Sequence, residues 1–140
     1  ELCDAAGGEL LWQDAVCRVV RVNDPDYPGF CRVIWKQHVQ EMTDLAVNER
    51  QHLMTVTFAV EQALRQVLSP HKINLASLGN VTPHLHWHVI PRYTDDRHFP
   101  NPVWGQVQRD GQRDGHRTLP SEWVKNLQAA IAIELDGISK

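Results

Sequence analysis

Cysteine is scarce in this sequence, and Cys3, Cys17 and Cys31 stand far apart along its 140 residues. An odd count without a close pair gives neither a disulfide framework nor a zinc knuckle, so we expect reduced thiols. No apolar run approaches the roughly 18 residues that a membrane span needs. The opening ELCDAAGGELL also lacks the basic start and apolar centre of a signal peptide. The sequence therefore predicts a cytoplasmic protein with no membrane partner.

An excess of positive charge is also missing. Fourteen Lys and Arg residues face 17 Asp and Glu residues, which gives a formal net charge of −3. Binding along a nucleic-acid polymer needs a basic face, so we expect no such partner. A single nucleotide is not excluded, because a few well-aimed donors can hold one phosphate. The 42% apolar and 22% charged residues are typical of a globular chain of one domain.

Short valine-rich and aromatic runs predict the strands of an α+β domain with an antiparallel sheet. Residues 12–22 and 30–37 read as two strands, joined by the Pro- and Gly-containing turn 23–29. Residues 72–78 and 84–93 read as two further strands. The connection after them, residues 94–119, is loop-like.

Two segments have helical patterns. Residues 49–68 carry apolar side chains at spacings of three and four, with Thr43 or Asp44 as a possible cap and Ser69-Pro70 at the end. Residues 120–135 form a second pattern, with Ser121 as a plausible N-cap. The predicted apolar stripe of the first helix consists of Leu53, Val56, Val60, Leu64 and Val67.

The segment HLHWHVIPRY, residues 84–93, begins with three histidines at alternate positions. On a strand, alternate side chains share a face, so His84, His86 and His88 form one row with steps of about 6.6–6.8 Å. The opposite face would carry the apolar set Leu85, Trp87 and Val89.

Three interpretations of this row compete. The histidines could have no role. They could hold a metal, with Asp95, Asp96 or His98 nearby as a further ligand, although no standard ligand spacing supports this. They could instead attack phosphorus, because neutral imidazole is a strong nucleophile near its reference pKa of about 6.5. We favour the last interpretation and expect neither a metal nor a cofactor.

A histidine that attacks phosphorus needs one unprotonated ring nitrogen that is aimed at the substrate. The other nitrogen must keep its proton and donate it, preferably to a fixed carbonyl. A neighbouring imidazole can then assist the leaving group. The preceding LGNVTP can direct backbone N–H groups at an anion, because Gly79 permits close approach of the backbone.

The run HLHWHVI at 84–90 matches the pattern His-φ-His-φ-His-φ-φ, where φ is apolar, and resembles the signature of the histidine triad (HIT) superfamily. The segments VNDPDYPGFCRVIWKQHVQEMTDL (22–45) and NLASLGN (74–80) are also similar to family segments. The resemblance implies a HIT-like fold: an antiparallel sheet of about five strands, one long helix and a C-terminal helix. It implies a single HIT domain over 1–140, with a core of about 10–107 and a C-terminal loop and helix at 108–140.

A histidine at the third position of the signature, His88, resembles the hydrolase branch and its short bacterial members. The implied function is a nucleotide hydrolase or transferase that acts on phosphoanhydride or phosphoramidate bonds through a nucleotidyl-histidine. By resemblance, His86 is the nucleophile, and His84 orients it through its backbone carbonyl and imidazole. His88 would contact the bridging oxygen or assist the leaving group. A homodimer is implied as well.

The resemblance also implies a set of substrate-binding positions. Asn23 would meet the ribose and His38 the edge of the pocket, while the segment before the triad would surround the phosphate. Val81 stands three residues before the first histidine, where family members commonly carry Ser or Thr. The implied substrate-binding residues are Asn23, His38, Asn74, Gly79, Asn80, Val81 and Thr82.

Two rival functions stay open. A non-catalytic nucleotide-binding module is favoured by Val81 in place of a hydroxyl, and a metal-dependent hydrolase is the less favoured rival. Trp104 could plug the core beneath the long loop or cover the leaving-group side of the site, and we favour the plug. We expect four basic side chains of the loop to be solvated: His98, Arg109, Arg113 and His116.

Overall fold

The computed structural model describes residues 7–110 and 119–138 of the chain. The strands are β1 Glu9–Gln13, β2 Cys17–Arg21, β3 Cys31–Trp35, β4 Lys72–Ala76 and β5 His86–Arg92, and the helices are α1 Val47–Leu68 and α2 Trp123–Ile138. The strands form one sheet in the order β1-β2-β3-β5-β4, and every neighbouring pair is antiparallel. The predicted α+β fold, with five strands, one long helix and a C-terminal helix, is confirmed.

The prediction of one strand over residues 12–22 is wrong, because the chain turns in the middle of this run. One carboxylate oxygen of Asp14 accepts the backbone N–H groups of Val16 and Cys17 at 2.9 and 2.8 Å. This side-chain cap closes a tight turn, and β1 and β2 pair on either side of it. The continuous valine pattern conceals the turn in the sequence.

Helix α1 follows its predicted apolar stripe. Leu53, Val56, Val60 and Leu64 are fully buried, while Val67 is partly buried against the same core. Ser69 ends the helix in the left-handed conformation, with φ of 49°, and its N–H donates to the carbonyl of Arg65.

The predicted caps of the two helices are wrong. Neither Thr43 nor Asp44 caps α1: Asp44 belongs to a 3-10 turn and accepts the Glu41 N–H at 3.0 Å. The N-cap of α1 is Ala46, and its N–H donates to the Glu49 carboxylate. Ser121 lies two residues before the first residue of α2, so it does not occupy the N-cap.

The sheet has two different faces. Helices α1 and α2 cover one face, where Val19, Val33 and Val89 join the main core. Side chains alternate along a strand, so the residues between these positions point the other way. On β3 and β5 they include two cross-strand pairs, Ile34 with His86 and Arg32 with His88. His86 and His88 therefore lie on the face away from the helices. Of the helices in the described ranges, neither is long and apolar enough to cross a bilayer.

A buried ion pair ties β5 to the segment that follows it. Arg92 and Asp96 are 2% and 5% exposed, and their side chains are joined by bonds of 2.8 and 3.0 Å. Arg92 also donates to the carbonyl of Asn101, and Asp96 accepts the N–H groups of Tyr93 and Phe99. Burial by itself raises the pKa of Asp96, but these hydrogen bonds outweigh burial and hold the pKa below its usual value. The loop after β5 is therefore anchored by paired charges.

Replacing Asp96 with Asn should destabilise the fold strongly, because the Arg92 guanidinium would stay buried without its anion. Loss of one partner of a buried pair costs about 3–5 kcal/mol. We expect a loss of this size in the free energy of unfolding from urea titration. Arg97→Gln is the matched control, since its pair with Asp26 is half exposed and 3.3 Å long; such pairs contribute about 1 kcal/mol or less. Equal losses for both variants would contradict this role of the buried pair.

Candidate active site

Strand β5 begins at His86, so it carries two of the three signature histidines and His84 lies just before it. The predicted strand over 84–93 is therefore two residues too long at its start. The rings of His86 and His88 are 4.8 Å apart between centroids and nearly perpendicular. This is shorter than the strand repeat of about 6.7 Å, because the rings lean toward each other. All three histidines are buried.

His84 is held by two hydrogen bonds of its ring. Its Nε2 lies 2.5 Å from the backbone carbonyl of Trp35, and since a carbonyl can only accept, Nε2 carries a proton. Burial lowers the pKa of His84, and the neighbouring His38 lowers it further, so the ring is neutral at pH 7. Its Nδ1 is then an acceptor, and the Nδ1–H of His38 donates a hydrogen bond to it at 3.1 Å. The hydrogen bond to the Trp35 carbonyl therefore determines which ring nitrogen carries the proton in His84 and which nitrogen of His38 donates to it.

His86 is oriented by the backbone of His84. Its Nδ1 lies 2.6 Å from the His84 carbonyl oxygen and must donate to it. The lone pair of the neutral ring is therefore on Nε2. On the other side, the hydroxyl of Ser77 donates to the backbone carbonyl of His86 at 2.8 Å. The arrangement supplies an imidazole with a fixed tautomer, which nucleophilic attack requires.

His88 is surrounded by aromatic rings. Phe30 and Trp104 contact it edge to face, with centroids 5.6 and 4.9 Å away. Burial lowers the pKa of His88 to about 4, helped by the nearby His86 and Arg32. Its Nδ1 is buried and has no hydrogen-bond partner among the described residues. At neutral pH His88 is uncharged, so it can donate a hydrogen bond but does not bring an imidazolium proton.

A cleft of about 340 Å³ opens beside His86 and His88. The connection between β4 and β5 forms its rim, and Gly79 takes a left-handed φ of 72° there, which suits a residue without a side chain. Arg32 and Trp104 complete the wall. Six of the predicted site residues are thus brought together: Gly79, Asn80, Val81, Thr82, His86 and His88.

Three other predicted substrate-binding residues lie elsewhere. Asn23 is exposed in the connection between β2 and β3, and it does not line the cleft. His38 packs against His84. Asn74 lies on β4, pairs with Ile90 across to β5, and accepts a hydrogen bond from Arg92 on its Oδ1 at 2.8 Å.

Sequence reasoning missed Arg32, Ser77 and the position of Trp104. Arg32 stands directly opposite His88 in the β3–β5 pairing and lines the same cleft. The only sequence signal is a charged residue between the buried Cys31 and Val33, and its meaning depends on a register that the sequence does not give.

The loop residues also differ from expectation. Trp104 is 51% exposed, and Val103 packs on the small cluster of Tyr27, Phe30 and Ile90 instead. The prediction of Trp104 as a core plug is therefore wrong. His98 and Arg109 are bonded rather than solvated: His98 Nδ1 lies 2.6 Å from the Tyr27 hydroxyl, and Arg109 donates to the Phe99 carbonyl. Arg113 and His116 lie outside the described residues.

Within the described ranges, one set of side chains has its ligand atoms close enough for a metal, and it is not the histidine row. Asp14, Cys17 and His52 place theirs within 4.8 Å of one another at the β1–β2 turn. His52 Nε2 lies 2.7 Å from a carboxylate oxygen of Asp14, which also caps the turn. Burial raises the pKa of the Cys17 thiol, which keeps it protonated and makes it a poor ligand. The close approach of these three side chains is therefore explained by hydrogen bonding at the turn and not by a metal site.

Fold and site together define an α+β domain in which a row of histidines meets a glycine-bearing rim. The sequence profile described as the HIT domain matches residues 6–95, and the chain belongs to this family. The resemblance read from the signature is confirmed.

Two curated relatives carry enzyme names. The chain is 32% identical over 108 residues to a Mycobacterium tuberculosis protein named AP-4-A phosphorylase, covering 72% of this chain and 55% of the relative. It is 29% identical over 91 residues to the Schizosaccharomyces pombe bis(5'-nucleosyl)-tetraphosphatase (asymmetrical), covering 61% of this chain and 50% of the relative. The chain thus spans about half the length of the curated relatives it matches.

Solved structures agree over a larger share of the chain. A histidine triad protein from Bradyrhizobium japonicum superposes with a TM-score of 0.69 at 28% identity, covering 90% of each chain. Another, from Marinobacter aquaeolei VT8, gives a TM-score of 0.70 at 25% identity, covering 94% of this chain and 91% of that one. These similarities extend past the residues that the HIT profile matches.

Acidification should destabilise the protein through His88. The unfolded chain binds a proton at this residue near pH 6.5, and the folded chain only near pH 4. The stability that depends on neutral His88 is complete above pH 6.5 and declines as the pH falls toward 4. We expect the melting temperature to fall between pH 7 and pH 5, and to fall less in His88→Gln. The exposed His71→Gln is the control, and a His88→Gln variant with the wild-type pH dependence would refute this assignment.

Proposed function

We propose that this domain is a nucleotide hydrolase or transferase that cleaves a phosphoanhydride or phosphoramidate bond through a covalent nucleotidyl-histidine on His86. One observation carries the proposal: His86 donates its Nδ1–H to the His84 carbonyl, which leaves the Nε2 lone pair available. The family membership and the names of the two curated relatives support the substrate class.

In the first step, Nε2 of His86 forms a bond to phosphorus as the bond from phosphorus to the leaving oxygen or nitrogen breaks. The bonding electron pair departs with the leaving group, and a leaving nitrogen takes a proton from solvent water as it departs. The modified His86 ring is cationic, and its Nδ1–H bond to the His84 carbonyl stabilises that charge. Neutral His88 can donate an N–H hydrogen bond to the bridging atom, which lowers the cost of its developing charge.

In the second step, an acceptor oxygen attacks phosphorus and loses its proton to solvent water, and the N–P electron pair returns to Nε2. Arg32 lines the cleft and supplies positive charge for the phosphate oxygens. The rim around Gly79 allows a phosphate to approach backbone N–H groups closely. The proposal requires no metal in either step.

Water and inorganic phosphate are both possible acceptors. His88 at the third signature position favours water, as in the hydrolase branch that the signature resembles. The similarity to a protein named AP-4-A phosphorylase favours phosphate as the second candidate. The products distinguish them, because water yields a nucleoside monophosphate and phosphate yields a nucleoside diphosphate.

Three sequence predictions accompany this proposal. We propose that one HIT domain spans residues 1–140, that it forms a homodimer, and that it acts in the cytoplasm. Asn23, His38 and Asn74 keep their predicted contributions to substrate binding only if the substrate extends beyond the cleft beside His86.

His86→Asn should abolish turnover and leave the fold intact, because Asn fills similar space without a nucleophilic ring nitrogen. We expect the rate towards adenosine 5'-phosphoramidate and diadenosine tetraphosphate to fall by at least about a thousandfold, in line with loss of a covalent nucleophile. His71→Asn, at an exposed site outside the cleft, should keep the wild-type rate. Wild-type turnover in His86→Asn would exclude the mechanism.

The same assay separates the rival functions. Wild-type protein without turnover, but with bound nucleotide, would identify a non-catalytic binding module. Activity that disappears on exhaustive chelation and returns with added metal would identify a metal-dependent hydrolase. Acid-labile, base-stable labelling of the protein by radioactive substrate supports the phosphohistidine, and we expect none in His86→Asn.

The acceptor should be water. With diadenosine tetraphosphate as substrate, we expect AMP and ATP as the products. Adding inorganic phosphate at about tenfold excess over the substrate, at a phosphate concentration on the order of a millimolar, should not change these products. Chromatography of the nucleotides measures the outcome. Appearance of ADP in place of AMP when phosphate is added would overturn hydrolysis and establish phosphorolysis.

A further inference from the structure

Trp104 is the most exposed aromatic ring beside the histidines. Half of its surface is open to solvent, although its ring lies 4.9 Å from His88 and 6.4 Å from Phe30. A large aromatic side chain that contacts a reacting group and still faces solvent offers a surface on which another flat ring can stack.

The segment that carries Trp104 is held in place by hydrogen bonds. The buried Arg92 donates to the carbonyl of Asn101, three residues before Trp104. The N–H of Gly105 closes a tight turn on the carbonyl of Pro102 at 2.9 Å. Arg109 adds a bond to the carbonyl of Phe99. Trp104 is therefore displayed on an anchored turn, which reduces the entropy lost when a ligand stacks on it.

Trp104 forms part of the wall of two neighbouring clefts. The first is the cleft beside His86 and His88. The second, of about 430 Å³, lies between β4 and the turn before Trp104 and falls within the range of roughly 300–1,000 Å³ of small-molecule sites. Its apolar lining includes Ile90, Pro100, Pro102 and Val103.

One polar group of the second cleft has a defined orientation. Asn74 accepts a hydrogen bond from Arg92 on Oδ1, so its amide is fixed and the NH₂ group is what remains for a ligand. A cleft that combines an aromatic wall and apolar side chains with an oriented amide donor suits a nucleobase, which has flat faces and acceptor nitrogens at its edge.

We propose that the second cleft binds the base of a nucleoside in the leaving group, stacked on Trp104, and so selects dinucleotide substrates. The inference rests on the proposed function, in which His88 faces the leaving oxygen. Since Trp104 contacts His88, a leaving group that passes His88 reaches Trp104 next. Trp104 is then a specificity-determining residue and takes no part in bond breaking.

Equilibrium binding tests this independently of turnover. We would measure, by calorimetry, the binding of AMP and of a methylene-bridged diadenosine tetraphosphate to wild type, Trp104→Leu and Trp104→Phe. Loss of one stacked base should weaken dinucleotide binding about tenfold or more in Trp104→Leu, and AMP binding should weaken much less. Trp104→Phe keeps an aromatic face and should lose much less. Unchanged melting temperatures would show that both variants are folded.

The possible results separate this inference from the proposed function. Equal effects on AMP and the dinucleotide, or no effect on either, would overturn the subsite on Trp104. So would a Trp104→Phe variant that behaves like Trp104→Leu. Failure of the wild type to turn over any nucleotide would overturn the proposed function, yet selective weakening of the dinucleotide in Trp104→Leu would still establish the base subsite.

Discussion

The hydrogen bond from His86 Nδ1 to the backbone carbonyl of His84 is the constraint on which the site depends. A carbonyl can direct a ring only if the chain that carries it does not move. Here the residue that follows His84 is held by two backbone bonds: Trp35 N–H donates to the Leu85 carbonyl, and Leu85 N–H donates to the Val39 carbonyl. The His84 ring, bonded to Trp35, closes the same arrangement. The end of β3 thus fixes the carbonyl that fixes His86.

The side of the site near His88 and Trp104 is stabilised by different interactions. Buried charges hold the turn that displays Trp104, and aromatic contacts surround His88 and keep it uncharged. Paired buried charges specify geometry more than they add stability. The site therefore combines a polar backbone network around His86 with an ion-paired, aromatic wall beside His88, and these two parts meet in one cleft.

The alternation of residues 84–90 was enough to predict which side of β5 faces the helices and which carries the imidazoles, because strand periodicity is a local property. Residues 12–22 show the limit of this reasoning, since Asp14 caps a turn that valine periodicity hides. Arg32 could not be assigned to the site, because its contact with His88 depends on how β3 aligns with β5. Likewise, the partner of Asn74 is Arg92, 18 residues away, and tertiary packing alone brings the two together.

The proton on Nδ1 of His86 has a chemical consequence beyond catalysis. Imidazole can form two isomeric phosphoryl derivatives, and the carbonyl that occupies the Nδ1 side leaves the tele nitrogen as the only one with a lone pair. Any adduct on this ring must therefore be the tele isomer. The regiochemistry of the modified residue is encoded in a main-chain oxygen two positions earlier in the sequence.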